Sequence, residues 1–329
     1  MKVEPMRIAA IINPVAGGGR ATSGWRDLRE TVRGFADVDE FFSQYPGHAA
    51  EMARDLSPDG YAMAMAVGGD GTVHEVVNGL MTRAGNGRYT GPSFGAIPLG
   101  RGNDFARTYG LTLEPGSAWQ AQSQSNGNHR RIDIGVITPF VGQPTYFVNM
   151  CGFGFDADAA ATANRLPRQL GGALPYVLGV LGAFVSMNNR ELSIELEGLQ
   201  PVASVVQPKW APTTLEGSES LEMSDRFLLA SAGIGRYLGG GMMLLPHADP
   251  SDGLLDVMLA RRVRRLRLLK ILHRVFEGGH VGEPEVAYYR ARKVRIAGSP
   301  GTNIHADGDP VGGTGADISV LPGALPVCF

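Results

Sequence analysis

The chain has 329 residues, a formal net charge of −2 and 43% hydrophobic residues, which is typical of a globular protein of one or two domains. The near-neutral charge argues against a protein that binds nucleic acid. The two cysteines, Cys151 and Cys328, are too few for a disulfide framework or a cysteine metal site. Residues 1–12 lack the layout of a signal peptide, so we expect a cytoplasmic protein.

The first predicted element is an apolar strand over residues 8–12 that ends in a glycine-rich loop. Asn13, Pro14, Gly17 and Arg20 belong to this loop. Glycines let the main chain approach a ligand closely, and backbone N–H groups at a strand–helix turn bind phosphate readily. Arg20 supplies a counter-charge, so the loop is a candidate anion site.

A second strand, over residues 62–67, breaks at Gly68-Gly69-Asp70-Gly71-Thr72 and leads into an amphipathic helix. The same arrangement again indicates phosphate binding, with Thr72 as a helix cap. Asp70 would repel a phosphate unless its carboxylate holds a metal ion or accepts a proton. The loop therefore predicts catalysis as well as binding, although a tight turn alone would also explain these glycines.

A third strand, over residues 94–99, precedes Gly100-Arg101-Gly102-Asn103-Asp104. Three such units in series place three loops at the carboxyl edge of one parallel sheet, where open α/β sheets bind ligands. None of the loops matches the P-loop, the dinucleotide fingerprint or the protein-kinase motifs. We expect an α/β nucleotide-binding domain over residues 1–138.

The character of the sequence changes after residue 138, and we expect a β-rich domain over residues 139–312. Residues 199–225, rich in Pro, Ser, Thr and Glu, are expected to form a mobile insertion. Residues 170–187 are uncharged and approach the minimum length of a membrane span, but their glycines favour a buried or surface-docked helix. The short predicted strands are 146–150, 192–196, 227–234, 254–259 and 293–296.

Six motifs together resemble the diacylglycerol kinase-type lipid kinases, a family that includes bacterial diacylglycerol and phosphatidylglycerol kinases and the sphingosine and ceramide kinases. They occur in the family's order over nearly the whole chain, although GGDG alone is shared with the NAD kinases. The motifs are NPVAGGGR, VGGDGTVHEVVNGL, PLGRGNDFAR, VNMCGFGFDADAA, ADPSDGLLDVML and HADGDPV.

The resemblance implies a Rossmann-like first domain of the NAD-kinase and diacylglycerol-kinase type, followed by a β-sandwich-like lipid-substrate domain. It also implies that residues 313–329 return to the first domain. The implied activity is ATP- and Mg²⁺-dependent transfer of the γ-phosphate to a hydroxyl of a membrane lipid, with diacylglycerol as the first choice. An NAD kinase-like enzyme and a catalytically silent nucleotide- or lipid-binding regulator are the alternatives.

The resemblance also assigns residues to the ATP site. Arg101 stands where the family has a threonine, and it either pairs with a phosphate or obstructs the site. Asp104 and Asp133 match residues that support a water network around a metal in relatives, or they cap loops. The implied nucleotide contacts are Asn13, Gly17, Ser43, Gly69, Gly71, Thr72 and Asn103.

Two further acidic motifs have implied roles. Asp252 would be the main magnesium ligand, helped by Asp249 and the Leu254 carbonyl, unless this is an ordinary Asp-Gly turn. Asp309 replaces the family's glutamate as the general base and is one methylene shorter, with Asp307 as its support. Asp307 and Asp70 are alternative bases.

The segment 260–273 combines five arginines and one lysine with apolar residues. As a basic amphipathic helix it would contact anionic lipid headgroups, which predicts peripheral membrane association. A solvated helix is the alternative. The oligomeric state is open, with a homodimer as one option.

Overall fold

The computed structural model describes residues 6–85, 87–123, 129–165, 189–202, 205–212 and 219–328. The first half contains a parallel sheet with the strand order β2-β1-β3-β4. Because the strands are parallel, their carboxyl ends meet at one edge. The strands are β1 (Met6–Ile12), β2 (Ala36–Phe42), β3 (Met63–Gly68) and β4 (Ser93–Pro98).

Helices cover both faces of this sheet, as the alternation of side chains along each buried strand requires. In β1, Ile8 and Ile12 pack into a cluster with Trp25, whereas Ile11 packs with Val77 in a cluster on the opposite face. The helices of this half are α1 (Arg20–Arg33), α2 (His48–Asp55), α3 (Asp70–Ala84), α4 (Asp104–Thr108) and α5 (Pro115–Ser123).

The second half is dominated by antiparallel strands. Its two described helices are α6 (Phe155–Arg165) and α7 (Arg265–Val275). The strands are β5 (Arg130–Pro139), β6 (Thr145–Phe147), β7 (Met150–Gly154), β8 (Arg190–Glu197), β9 (Ser220–Gly233), β10 (Tyr237–Leu238), β11 (Met242–Met243), β12 (Leu255–Arg261), β13 (Val286–Ala291), β14 (Lys293–Gly298), β15 (Asn303–Ala306), β16 (Asp309–Gly313) and β17 (Gly315–Val327).

The last strand, β17, joins the two halves. Its first residues pair with β14, and residues 316–321 and 325–327 pair antiparallel with β5 on either side of an irregularity. At its end Val327 pairs in parallel with Phe94 of β4. An α/β region with a parallel sheet, followed by a β-rich region, confirms the predicted fold class.

The structure corrects three expected elements. The predicted strand over 146–150 is interrupted between β6 and β7. The segment 199–225 is not wholly an insertion, because β9 begins at Ser220. The basic segment 260–273 begins as the end of β12, and α7 starts only at Arg265.

The uncharged segment 170–187 lies outside the described residues. Among the described residues, no helix has the length and apolar character needed to cross a membrane.

Candidate active site

The three glycine-rich loops meet at the carboxyl edge of the parallel sheet. A Cβ on Gly69 would lie 2.8 Å from the Cα of Gly100, so the loops after β3 and β4 pack backbone against backbone. Gly17, with a φ of +62°, brings the loop after β1 equally close, since a Cβ there would lie 2.5 Å from the Leu99 carbonyl oxygen. Only glycine allows these approaches, which explains the residue type at each position.

The loops line a cavity of about 340 Å³ that also extends to the second half of the chain. The first turn of α3 begins at Asp70 beside it, and the first N–H groups of a helix have no partner within the helix. The cavity therefore offers backbone donors to an anion. Predicted residues that line it are Asn13, Gly17, Gly69, Asp70, Gly71, Thr72, Arg101, Asp104, Asp307 and Asp309.

Asp70 and Asp104 lie close together at this cavity, since a Cβ on Gly102 would be 2.8 Å from Asp70 Oδ2 and 3.4 Å from Asp104 Oδ2. Asp70 Oδ1 accepts the N–H of Phe105 at 3.0 Å, and burial raises the pKa of Asp70. Burial, together with the charge of Asp70, raises the pKa of Asp104 to about 7. Two carboxylates that oppose each other's ionisation attract a cation, because a positive charge between them relieves the repulsion.

Asp307 is a structural anchor of the opposite wall. Its Oδ2 accepts the Val148 N–H at 2.9 Å and lies 3.2 Å from His74 Nδ1. Its Oδ1 accepts the N–H groups of Asn149 at 2.9 Å and Met150 at 3.1 Å. These contacts explain why β6 and β7 are separate strands, since the backbone between them bonds to a carboxylate instead of a neighbouring strand. Although burial opposes it, the hydrogen bond to Asp307 raises the pKa of His74.

Asp309 also lines the cavity, at the start of β16, and burial raises its pKa. Among the described residues, no hydrogen-bond donor to its carboxylate is found, in contrast with Asp307. A partly buried carboxylate with a raised pKa is suited to accept a proton at neutral pH. The arrangement thus places a candidate base in the same cavity as the three glycine-rich loops.

Five predicted nucleotide contacts frame the cavity without lining it. Asn103, with a φ of +55°, accepts the Gly100 N–H at 3.0 Å and thereby shapes its own loop. Arg20 Nε donates to the Gly17 carbonyl at 2.9 Å, and the Pro14 carbonyl accepts the Thr22 hydroxyl at 3.1 Å. Ser43 and Gly68 complete this set, where Ser43 bonds to the end of β1 and Gly68 lies within β3.

Comparison with known proteins identifies the family. Residues 7–137 match the diacylglycerol kinase catalytic domain, and residues 149–329 match the YegS C-terminal NAD kinase β-sandwich-like domain. A diacylglycerol kinase of Mycobacterium tuberculosis is 33% identical over 98% of this chain and 94% of its own length. The chain belongs to the diacylglycerol kinase family of lipid kinases.

Two further relatives agree. A diacylglycerol kinase of Bacillus subtilis is 27% identical over 80% of this chain and 76% of its own length. A diacylglycerol kinase structure from Bacillus anthracis superposes with a TM-score of 0.68 at 18% identity, covering 100% of this chain and 98% of that one, and so shares the fold. The family resemblance predicted from the six motifs is confirmed.

The lipid kinase does not present the predicted magnesium site at the loop 249–254. Asp252 Oδ1 accepts the Leu254 N–H at 3.0 Å, and Oδ2 forms an ion pair with Arg290. Asp249 accepts both the N–H and the hydroxyl of Ser251. The carboxylates are already engaged and a guanidinium supplies the positive charge, so the donors do not fit a magnesium ion; the Asp-Gly turn accounts for these contacts.

Asp133, the fourth predicted metal residue, ties two loops together. Its Oδ2 accepts the Gly253 N–H and its Oδ1 accepts the Gly323 N–H, each at 2.7 Å. With one backbone donor on each oxygen, Asp133 caps two loops, and its predicted role around a metal stays a prediction. In the described parts of the chain, no group of three or more His, Cys, Asp or Glu residues converges on a metal position.

The sequence reasoning missed the contribution of residues 238–240 to the cavity. The N–H groups of Gly240 and Gly241 donate to Asp104 at 2.8 and 2.7 Å, linking α4 to the turn between β10 and β11. The signal was present, because Gly239-Gly240-Gly241 is a second run of three glycines and all three have a positive φ.

Proposed function

We propose that this lipid kinase transfers the γ-phosphate of ATP to a hydroxyl of a membrane lipid, with a diacylglycerol-like molecule as the acceptor. The observation that carries the proposal is one cavity with glycine-rich loops on one wall and Asp309 on the other. Phosphoryl transfer needs mainly positioning and charge neutralisation, and this arrangement supplies both.

The ATP phosphates would lie on the glycine-rich wall, against the backbone donors at the start of α3. Asp70 would hold a magnesium ion that arrives with ATP, since Mg²⁺ takes one or two carboxylates together with phosphate oxygens and waters. Both oxygens of Asp104 already accept the N–H groups of Gly240 and Gly241, so Asp104 would contribute mainly its negative charge near the ion. When bound there, the ion would supply charge neutralisation for the phosphates. Arg101 lines the same cavity. We therefore favour its pairing with a phosphate over its obstructing the site.

Asp309 would be the general base. The acceptor hydroxyl gives its proton to the Asp309 carboxylate, its oxygen forms a bond to the γ-phosphorus, and the bond to the β,γ-bridging oxygen breaks to release ADP. Asp307 is not a candidate for this step, because both of its oxygens already accept hydrogen bonds from the protein. Its role is to hold the loop that presents Asp309.

A second cavity, of about 80 Å³, supports a lipid acceptor. It is lined mainly by apolar side chains, including Leu228, Met258 and Ile271. Helix α6 borders both cavities, since Ala160 lines the first and Ala159 lines the second. A molecule with a hydroxyl in the first cavity and an apolar tail towards the second would therefore contact this helix.

We also propose that the segment 260–273 contacts the membrane. Fewer of its positive charges are available than the sequence implies, because some of its arginines form ion pairs within the protein. Arg267 forms ion pairs with Glu283 and Glu285, and Arg261 forms one with Asp225. Arg262, Arg264 and Lys270 are exposed and would be the cations that meet anionic headgroups.

The test is transfer of radiolabelled γ-phosphate from Mg-ATP to a panel of acceptors in mixed micelles. The panel holds diacylglycerol, phosphatidylglycerol, ceramide, sphingosine and NAD, and we expect label in diacylglycerol. Label in NAD alone would establish the NAD kinase alternative. ATP binding without transfer to any acceptor would establish the silent regulator.

A further inference from the structure

A network of three buried polar side chains lies next to the loop that carries Asp309. The Ser231 hydroxyl, on β9, donates to Asp156 Oδ2 at 2.6 Å. The same Asp156 oxygen lies 3.5 Å from Nε2 of His305, on β15. Ser231, Asp156 and His305 are 0%, 5% and 1% exposed, respectively. Buried polar groups are costly unless they are paired, so this arrangement calls for an explanation.

The third contact of this network is a hydrogen bond from the loop that carries Asp309. The N–H of Gly308 donates to His305 Nδ1 at 3.1 Å, so Nδ1 acts as the acceptor and carries no proton. The proton of the neutral imidazole must then be on Nε2, which faces the Asp156 carboxylate. Nε2 makes no hydrogen bond among the described residues, but the Asp156 carboxylate 3.5 Å away electrostatically favours the tautomer that can accept the bond from Gly308.

Strand β7 has a glycine, Gly152, at the point where it passes Asp156 and His305. A Cβ on Gly152, in β7, would lie 1.9 Å from Asp156 Oδ2 and 2.5 Å from His305 Nε2. Any larger residue would separate or displace the two side chains. The glycine at this position therefore makes room for the contact between Asp156 and His305.

The loop needs such support because of its backbone conformation. Asp307 has a φ of +48° and Gly308 a φ of +91°, so two consecutive residues lie in the left-handed region. A non-glycine residue persists there only when its surroundings hold it. The hydrogen bonds to the Asp307 carboxylate hold one side of the loop, and His305 holds the amide of the next residue.

We propose that His305, oriented by Asp156 and Ser231, is a positioning residue that fixes the Gly308 amide and thereby aims Asp309 into the cavity. The inference rests on the proposed function, in which Asp309 accepts the proton of the acceptor hydroxyl. His305 touches neither substrate; it acts through the loop. A shift of about 1 Å in a catalytic group costs on the order of 10²-fold in rate, so loss of this contact is expected to lower kcat.

The test compares His305→Ala with His305→Asn, whose Oδ1 can take the place of Nδ1 as the acceptor. We expect His305→Ala to lower kcat by roughly 10- to 100-fold with the KM for ATP unchanged, and His305→Asn to recover most of that loss. The matched control is Ile304→Val, a buried neighbour on β15 that has no part in the loop contact.

Two outcomes would overturn the inference: a kcat for His305→Ala equal to that of Ile304→Val, or a kcat for His305→Asn as low as that of His305→Ala. Hydrogen exchange gives a readout that does not depend on activity. Protection of the Gly308 amide should fall in His305→Ala while the midpoint of global unfolding stays close to that of Ile304→Val, and unchanged protection would contradict the contact.

Asp309→Asn separates this inference from the proposed function. If Asp309→Asn keeps wild-type activity, Asp309 is not the base and the proposed function fails in that step. If Asp309→Asn is inactive while His305→Ala keeps a normal kcat, only the positioning role of His305 fails.

Discussion

The two walls of the candidate active site are built in different ways. The wall from the first half is shaped by backbone, because its glycines let three loops approach within contact distance. The wall from the second half consists of a loop held by side chains far away in sequence, such as His74 against Asp307. The glycine-rich wall is therefore set by local sequence, whereas the Asp309 wall depends on the completed fold.

On the glycine-rich wall, the strongest loss of activity is expected for Asp70→Asn. The amide keeps the acceptor for the Phe105 N–H but removes the charge that would hold the magnesium ion of ATP. Phosphate transfer should fall by about 10²–10³-fold. The midpoint of thermal unfolding should not fall, because burial already disfavours the charged carboxylate. Asp59→Asn, at an exposed position, is the control for both measurements, and substantial activity in Asp70→Asn would contradict the role of this residue.

On the other wall, Asp307→Ala should affect stability as well as activity. It leaves the N–H groups of Val148, Asn149 and Met150 without their acceptor, and removing one partner of a buried charged contact costs about 3–5 kcal/mol. The free energy of unfolding, measured by urea denaturation, should fall by that amount. The matched variant Asp317→Ala removes an exposed carboxylate and should cost less than about 1 kcal/mol. Equal losses in the two variants would show that Asp307 is not an anchor.

The second half of the chain should also be sensitive to acid, through His280. Burial lowers the pKa of His280 to about 4, below its value of ~6.5 in an unfolded chain. Between these values the unfolded chain binds more protons, so the free energy of unfolding falls as the pH drops from ~6.5 to ~4, by up to about 3 kcal/mol. His280→Gln should flatten this slope, whereas His273→Gln, at an exposed position, should leave it unchanged. An unaltered slope in His280→Gln would assign the acid sensitivity to other groups.

The smallest expected effect is that of Gly69→Ala. The added Cβ would lie 2.8 Å from the Cα of Gly100 and push the two loops apart. Nucleotide affinity should fall about tenfold, which corresponds to about 1.4 kcal/mol. Calorimetric titration with ATP measures it, and Gly87→Ala, at an exposed glycine outside the cavity, is the control. If both variants bind ATP equally well, the close packing of the loops is not needed for binding.

The same contrast explains how much of the molecule could be predicted from the sequence. A buried strand, a glycine turn and a helix follow one another within about 20 residues, so the pattern around Gly69 predicts β3, the loop and α3 together. The fold class follows from three such units and the short strands after them. The family followed from motifs that occur in order along the chain.

Contacts between distant residues could not be predicted in this way. Nothing local to residues 146–150 indicates that Asp307 will take the N–H groups of Val148 and Asn149 and interrupt the strand. In the same way, the sequence around Asp252 resembles a metal loop, and only the fold brings Arg290 against its carboxylate. The run Gly239–Gly241 was visible, but its partner Asp104 lies far away in sequence.

We propose that Asp309 accepts the proton of the acceptor hydroxyl, and a comparison of Asp309→Asn with Asp309→Glu tests this role. For each variant, γ-phosphate transfer to diacylglycerol and ATP binding would be measured on the same preparation. Asp309→Asn should bind ATP normally and lose about 10²–10⁴-fold in kcat, whereas Asp309→Glu, which keeps the carboxylate, should retain most of its activity. Transfer by Asp309→Asn at the wild-type rate would contradict the claim.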